Sequence, residues 1–140
     1  MASTIHVDIV SAEGEIYSGE ARMVFLPAAE GEIGVAPRHA PLLALLKAGE
    51  VRVQPVAGDE QSFYVGGGAL EVQPARVTVL ADTAARATDL DEAAALAARQ
   101  RAEEALAGKI DKIEQAEALA ELARAAAQLK LIERLRKIRG

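Results

Sequence analysis

Short runs of alternating hydrophobic and polar residues fill the first part of the chain, from Met1 to about Asp82. In the first run Ile5, Val7 and Ile9 alternate with polar neighbours, which is the period of a half-buried β-strand. Further pairs with the same spacing are Val51 and Val53, Phe63 and Val65, Leu70 and Val72, and Val77 and Val79. Glycines separate these runs and no helical stretch connects them, so the pattern predicts an antiparallel β-sandwich or barrel.

The glycine run from Gly66 to Gly68 lies between two of these predicted strands. No Gly-Lys-Ser or Gly-Lys-Thr follows it, so a phosphate-binding loop is not indicated. We expect a tight hairpin or a bulge at this place.

The pattern changes after Asp82, where Ala, Leu, Glu, Arg and Gln dominate and proline disappears. Asp89 followed by Glu92 predicts the N-cap of a first helix, and Gly108 ends that helix. The predicted helix runs through Ala94, Ala98, Ala102 and Ala105 to Leu106.

A second helix is expected from about Asp111 to Arg139, with a length of about 40 Å. Its predicted inner stripe consists of Leu122, Ala126, Leu129 and Ile132. Alanine-rich faces allow close packing but bury little area, so the hairpin is either a movable element or a static one, and the pattern leaves both open. The chain is predicted to be an α+β protein with a β-sandwich at 1–86 and an antiparallel α-helical hairpin at 87–140.

Composition narrows the function classes. The 21 acidic and 16 basic residues give a net charge of -5, which argues against a nucleic-acid-binding protein. Cysteine is absent, which excludes thiol chemistry, and no apolar run approaches the ~18 residues of a membrane helix. We expect a soluble, cytoplasmic chain without a cofactor.

Charge is distributed unevenly along the predicted helical hairpin. Acidic residues dominate between Glu103 and Glu121, whereas five cations and only Glu133 lie between Lys130 and the end of the chain. Helix capping explains one or two of these cations. The others are typical of a surface that docks on an acidic partner, and a merely solvated terminus remains the alternative.

No active site is predicted. A Ser-His-Asp arrangement would depend on His6 or His39, and no nucleophile-elbow sequence accompanies either histidine. The carboxylates of Glu30 and Glu32 fall on one face of a strand, where solvated acids are the default, and no metal-ligand spacing is present.

Four segments resemble the epsilon subunits of bacterial F-type ATP synthases. They are GEIGVAPRHAPLLALLKAGEVRV at 31–53, GGGALEVQPARVTVLADTA at 66–84, DLDEAAALAARQRAEEAL at 89–106 and AELARAAAQLKLIERLRK at 120–137. The resemblance covers almost the whole chain in the same order.

This resemblance implies a non-catalytic rotor subunit whose β-sandwich binds the gamma subunit and the c-ring, on the cytoplasmic face of the bacterial inner membrane. It implies contacts to the c-ring and gamma for Glu32 and His39, with a structural loop role as the alternative. It also implies that the helices extend to the alpha and beta subunits and restrain ATP hydrolysis, with Arg134, Arg136, Lys137 and Arg139 facing the catalytic subunit.

One motif departs from the family. Family members that bind ATP carry a motif of Ile or Leu, Asp, two variable residues, Arg and Ala. In this chain the matching residues are Leu90, Asp91, Glu92, Ala93, Ala94 and Ala95. Alanine at position 94 cannot supply the charge-assisted hydrogen bonds of an arginine, so we expect weak or absent ATP binding. An ATP-sensing switch module and a small enzyme are the alternatives to the rotor subunit, and neither has its required residues.

Overall fold

The computed structural model describes residues 3–139 as seven β-strands and two α-helices. The strands are β1 (Ile5–Ser11), β2 (Gly14–Ala28), β3 (Gly31–Val35), β4 (Leu42–Pro55), β5 (Gln61–Gln73), β6 (Arg76–Ala81) and β7 (Ala84–Arg86). The helices are α1 (Glu92–Ala107) and α2 (Lys112–Arg139). Internal contacts divide the chain into two compact units between Arg86 and Ala87.

The strands form one sheet that closes on itself. Pairing proceeds from β1 through β6, β5, β4 and β2, and β2 pairs with β1 again. β3 is added on β2, and β7 is added on β5. The predicted fold class is confirmed, with one difference in strand direction, because β1 runs parallel to β6 while its pairing with β2 is antiparallel.

The core of the first unit is built from the aliphatic residues that the alternation predicts. Ile5, Val7 and Ile9 of β1 are fully buried. The four later pairs are also at most 1% exposed: Val51 and Val53, Phe63 and Val65, Leu70 and Val72, and Val77 and Val79. Alternation alone therefore identifies the inward face of these strands.

The glycine run lies inside β5, which pairs with β4 in one register on both sides of it, so neither the expected tight hairpin nor a bulge in this pairing is found. Phe63 and Val65 belong to the hydrophobic core before the run, and Leu70 and Val72 belong to it after the run, so the core positions of β5 change from odd to even numbers. Gly67 and Gly68 have φ values of 101° and 136°, which side chains other than glycine rarely adopt. A Cβ on Gly68 would lie 2.1 Å from the carbonyl oxygen of Leu80. The glycines therefore allow β5 to bend while it stays paired.

The first helix begins later than predicted. Asp89 belongs to a single 3-10 turn, Ala87–Asp89, and the N-cap of α1 is Asp91, whose Oδ1 accepts a hydrogen bond of 3.2 Å from the backbone N–H of Ala94. Gly108 is the C-cap, as predicted. Asp111 caps α2, because its Oδ1 accepts a hydrogen bond of 2.7 Å from the backbone N–H of Glu114. This hydrogen bond lowers the pKa of Asp111.

The two helices contact each other along a stripe of small residues. Ala95 and Ala102 of α1 are buried, as are Ala118, Ala125 and Leu131 of α2. Of the alanines expected along these helices, Ala102 is buried, whereas Ala94, Ala105 and Ala126 are exposed. Buried alanines seven residues apart allow close approach but contribute little hydrophobic free energy each.

Candidate functional site

A polar cluster around His6 covers the outer face of β1, β2 and β6. Nδ1 of His6 lies 2.6 Å from Oε2 of Glu20, and its Nε2 lies 3.0 Å from both Oδ1 of Asp8 and Oγ of Ser18. Ser18 donates to Asp8 at 2.7 Å, and Nη1 of Arg76 lies 2.6 Å from the other oxygen of Asp8. The fold therefore brings a serine, a histidine and two carboxylates together, a grouping that the sequence pattern does not predict.

This cluster is arranged for pairing rather than for nucleophilic catalysis. The hydrogen bond to Glu20 raises the pKa of His6, which favours the protonated imidazole, and a protonated imidazole cannot accept a proton from Ser18. The hydroxyl of Ser18 donates to Asp8. Burial raises the pKa of Asp8, but hydrogen bonds from Ser18 and His6 and the charge of Arg76 outweigh it and lower the pKa.

A groove of about 500 Å³ lies beside the β2–β3 turn. Its lining combines the turn itself with one end of β4: Ala28, Ala29, Glu30, Gly31, Glu32, Ile33, Leu42, Leu43, Ala44 and Leu45. Leu43 and Leu45 are 77% and 69% exposed, which is unusual for leucines that lie so close together. The groove thus joins apolar surface to two carboxylates.

Glu32, one of the residues that the family resemblance assigns to partner contact, lies on β3 and lines this groove. Its Oε1 accepts a hydrogen bond of 3.2 Å from Nη2 of Arg52 on β4. Alternation along a strand does not show which side chains meet across the sheet, so the sequence pattern did not identify Arg52.

His39, the other residue assigned to partner contact, lies between β3 and β4 and outside the groove lining. Its Nδ1 donates to the backbone carbonyl of its neighbour Ala40 at 2.7 Å. The preceding Arg38 has a φ of 69°, and its backbone N–H donates to Pro74 at 2.8 Å. The connection that carries His39 is thus tied to the turn between β5 and β6.

The basic end of α2 is partly paired within the hairpin. Arg136 forms a short ion pair with Glu92 at the start of α1, and Lys137 lies 3.5 Å from Glu133 one turn earlier. Arg134 is half-buried, and the side chain of Arg139 lies outside the described residues. A second ion pair between the helices joins Arg101 to Glu121 at 3.3 Å.

The stretch that corresponds to the ATP motif forms the beginning of α1. The carboxylate of Asp91 caps the helix, Ala94 is exposed, and Ala95 is buried. The backbone N–H of Leu90 donates to Ala87 at 3.3 Å. These residues perform structural roles in a helix N-terminus.

Residues 3–139 offer neither a metal site nor a membrane-spanning helix. Within that range, no group of three or more His, Asp or Glu side chains is placed to hold a metal ion. In the same residues, neither helix combines the length and hydropathy needed to cross a membrane.

Comparison with known proteins gives matches along almost the whole chain. The family model described as the ATP synthase Delta/Epsilon chain beta-sandwich domain matches residues 4–87, and the long alpha-helix domain of the same family matches residues 88–133. An ATP synthase epsilon chain from Nitrosococcus oceani is 64% identical over 140 residues and covers 100% of both chains. Another from Alkalilimnicola ehrlichii is 63% identical over 135 residues, which are 96% of each chain.

Two solved assemblies contain chains of the same fold. A chain in the Euglena gracilis mitochondrial ATP synthase structure (OSCP/F1/c-ring) aligns with a TM-score of 0.70 at 18% identity, over 98% of this chain and 82% of that one. A chain in the Tetrahymena thermophila mitochondrial ATP synthase structure (central stalk and c-ring) aligns with a TM-score of 0.62 at 12% identity. The alignment covers 93% of this chain and 97% of that one.

The His6 cluster predicts a pH-dependent stability. The contribution of His6, whose pKa is raised above 6.5, is fully present below that value and is lost as the pH rises through the raised pKa. Glu20 and Asp8 have lowered pKa values, so their contributions are lost at acidic pH. The urea concentration at the unfolding midpoint should therefore decrease as the pH is raised from about 5.5 to about 8.5 in the natural protein. The decrease should be smaller in His6→Gln.

His39→Gln is the matched control for this experiment, because His39 lies outside the cluster, and it should keep the pH dependence of the natural chain. Equal pH dependence in His6→Gln and in the natural chain would contradict the assignment.

Proposed function

The chain belongs to the ATP synthase delta/epsilon chain family, and from this premise we propose that it works in the central stalk by binding the gamma subunit and the c-ring through its β-sandwich. Membership in the family makes it a non-catalytic subunit of ATP synthase, which contributes to ATP synthesis and ion transport through the complex. The observation that carries this conclusion is 64% identity to an epsilon chain over the full length of both proteins.

The complex also accounts for the association with the membrane. The subunit belongs to a membrane-associated assembly, and we place it on the cytoplasmic face of the bacterial inner membrane as a peripheral component. No cofactor and no nucleic acid take part in the proposed role.

The groove supports a contact with the c-ring and gamma. Leu43 and Leu45 expose apolar area, and Glu32 adds a carboxylate at the same place, so the surface is suited to a partner segment that is apolar with a basic residue. His39 contributes to the same contact from the β3–β4 connection. Proteins rarely leave neighbouring leucines in water unless a partner covers them.

The outer face of β4, β5 and β6 offers further apolar area to gamma. Leu45 pairs with Ala69, and Ala69 pairs with Leu80, so these three side chains form one row across the sheet. Leu80 is 55% exposed. A partner on this row would remove apolar surface from water without disturbing the core.

We assign the helical hairpin to regulation. In the proposed inhibitory state, Arg134, Arg136, Lys137 and Arg139 face an acidic surface of the catalytic beta subunit, beside alpha, and restrain ATP hydrolysis. Arg136 pairs with Glu92 in the present hairpin, so binding to the beta subunit requires this pair to open.

Neutralising the basic end should release inhibition. Replacement of Arg134, Arg136, Lys137 and Arg139 by Gln is expected to raise ATP hydrolysis by the assembled enzyme at least about twofold to fivefold, which is the effect of losing a single exposed ion pair of up to about 1 kcal/mol. Hydrolysis is measured in reconstituted complexes, together with the amount of subunit that co-purifies.

Lys109→Gln with Lys112→Gln is the matched control, since it removes cations at the other end of the hairpin and should leave hydrolysis unchanged. Unchanged hydrolysis in the fourfold variant, with normal assembly, would rule out this role for the basic end.

We propose that ATP binding by this chain is weak or absent, which separates the rotor subunit from an ATP-sensing switch. Isothermal calorimetry on the full chain should give a dissociation constant above about 1 mM, corresponding to about -4 kcal/mol. Ala94→Arg places a guanidinium at the exposed N-terminal turn of α1 and should tighten binding about tenfold, as one charged hydrogen bond does. Micromolar affinity in the natural chain would contradict the proposal.

A further inference from the structure

We propose that Arg52 is a positioning residue that holds the carboxylate of Glu32 in the orientation used for partner contact. The inference rests on the role proposed above for Glu32 and adds the residue that prepares it. Three contacts of the Arg52 guanidinium carry the argument, and each engages a different strand or connection of the β-sandwich.

The first contact is with an aromatic ring. Arg52 of β4 is paired directly with Phe25 of β2, and its guanidinium carbon lies 4.4 Å from the centroid of the phenyl ring. A guanidinium stacked on an aromatic face gains cation–π attraction and loses freedom of rotation. The ring therefore sets the plane in which the donors of Arg52 lie.

A glycine on the next strand makes room for that ring. Gly34 of β3 is paired with Phe25, and a Cβ on Gly34 would lie 3.1 Å from Cε1 of Phe25 and 2.7 Å from Cε of Met23. Both distances are shorter than a Cβ tolerates without movement of its neighbours. The missing side chain at Gly34 thus allows the ring to lie against β3.

The second and third contacts are with carboxylates. Nη2 of Arg52 donates to Oε1 of Glu32 at 3.2 Å, and Nη1 lies 3.8 Å from Oε2 of Glu60. Glu60 also accepts from Nε2 of Gln54 at 3.4 Å. The Arg52 side chain is 26% exposed, so these contacts hold it in a partly desolvated place.

Glu32 itself remains accessible, with 55% of its side chain exposed at the groove. A glutamate on a strand surface ordinarily samples several rotamers, and a partner that binds it must order it first. Arg52 orders the carboxylate before the partner arrives, and preorganisation of this kind increases affinity. The benefit exists only while Glu32 is present.

A double-mutant cycle in the assembled ATP synthase tests this. Complexes carry a fluorescently labelled chain with Arg52→Gln, Glu32→Gln or both, and its exchange rate against excess unlabelled natural chain is measured. Arg52→Gln should accelerate exchange about twofold to fivefold, the range expected for one exposed ion pair. The double variant should exchange no faster than Glu32→Gln, because Arg52 acts through that carboxylate.

Conservative and control variants complete the cycle. Arg52→Lys keeps the charge but loses the planar guanidinium, so it should accelerate exchange about half as much as Arg52→Gln does. Phe25→Leu removes the ring while leaving both charged residues and should accelerate exchange in the same direction. Arg22→Gln is the matched control, since Arg22 of β2 donates to the carbonyl of Val56 at 2.9 Å, and it should exchange at the natural rate.

The outcomes separate this inference from the function on which it rests. If Glu32→Gln does not change exchange, the contact proposed for Glu32 is wrong and the role of Arg52 is wrong with it. If Glu32→Gln accelerates exchange while Arg52→Gln does not, or the effect of Arg52→Gln persists fully in the double variant, only the positioning role is overturned. Unfolding midpoints of each variant identify any loss that comes from stability alone.

Discussion

Closure of the sheet is the constraint on which the first unit depends. β1 completes the ring by pairing with β2 on one side and with β6 on the other. Each strand of the ring then has a hydrogen-bonded neighbour on both sides, which protects its backbone from pairing with other chains. Closure also encloses an aliphatic core that contains very little aromatic area.

The same closure determines which side chains meet on the outside. The His6 cluster depends on the register of β1 with β2 and β6, and the contact from Arg52 to Glu32 depends on the register of β4, β2 and β3. The helical unit lacks such a constraint. Its buried stripe is mostly alanine, and exposed ion pairs from Arg136 to Glu92 and from Arg101 to Glu121 join the two helices outside that stripe.

The sequence pattern was sufficient to predict the features that depend on neighbouring residues alone, such as the buried face of a strand and the ends of a helix. Alternation identified the buried pairs of the strands, and Gly108 and Asp111 were correctly placed between the helices. The bend of β5 at its glycines could not be anticipated, because it depends on the carbonyl of Leu80 approaching Gly68 from another strand. The cap at Asp91 was missed because Asp89 with Glu92 offers the more familiar pattern.

The candidate site follows the same division. The family resemblance selected Glu32 and His39, and structure adds the groove and its exposed leucines around the first of them. The contacts of Arg52 and the cluster at His6 each join side chains from three strands. A signal for the cluster was present, since His6 with Asp8 and Ser18 with Glu20 each lie two residues apart on one strand face. The pairing of those strands was needed to join them.

Rotation of this chain within the complex tests the central claim most directly. Because the sequence has no cysteine, Glu13→Cys in the exposed turn between β1 and β2 gives a single attachment point for a fluorescent rod. The complex is immobilised through its alpha and beta subunits, and the rod is observed while ATP is hydrolysed. A central-stalk subunit predicts that the rod rotates relative to the surface, and a rod that stays stationary during hydrolysis would contradict the account.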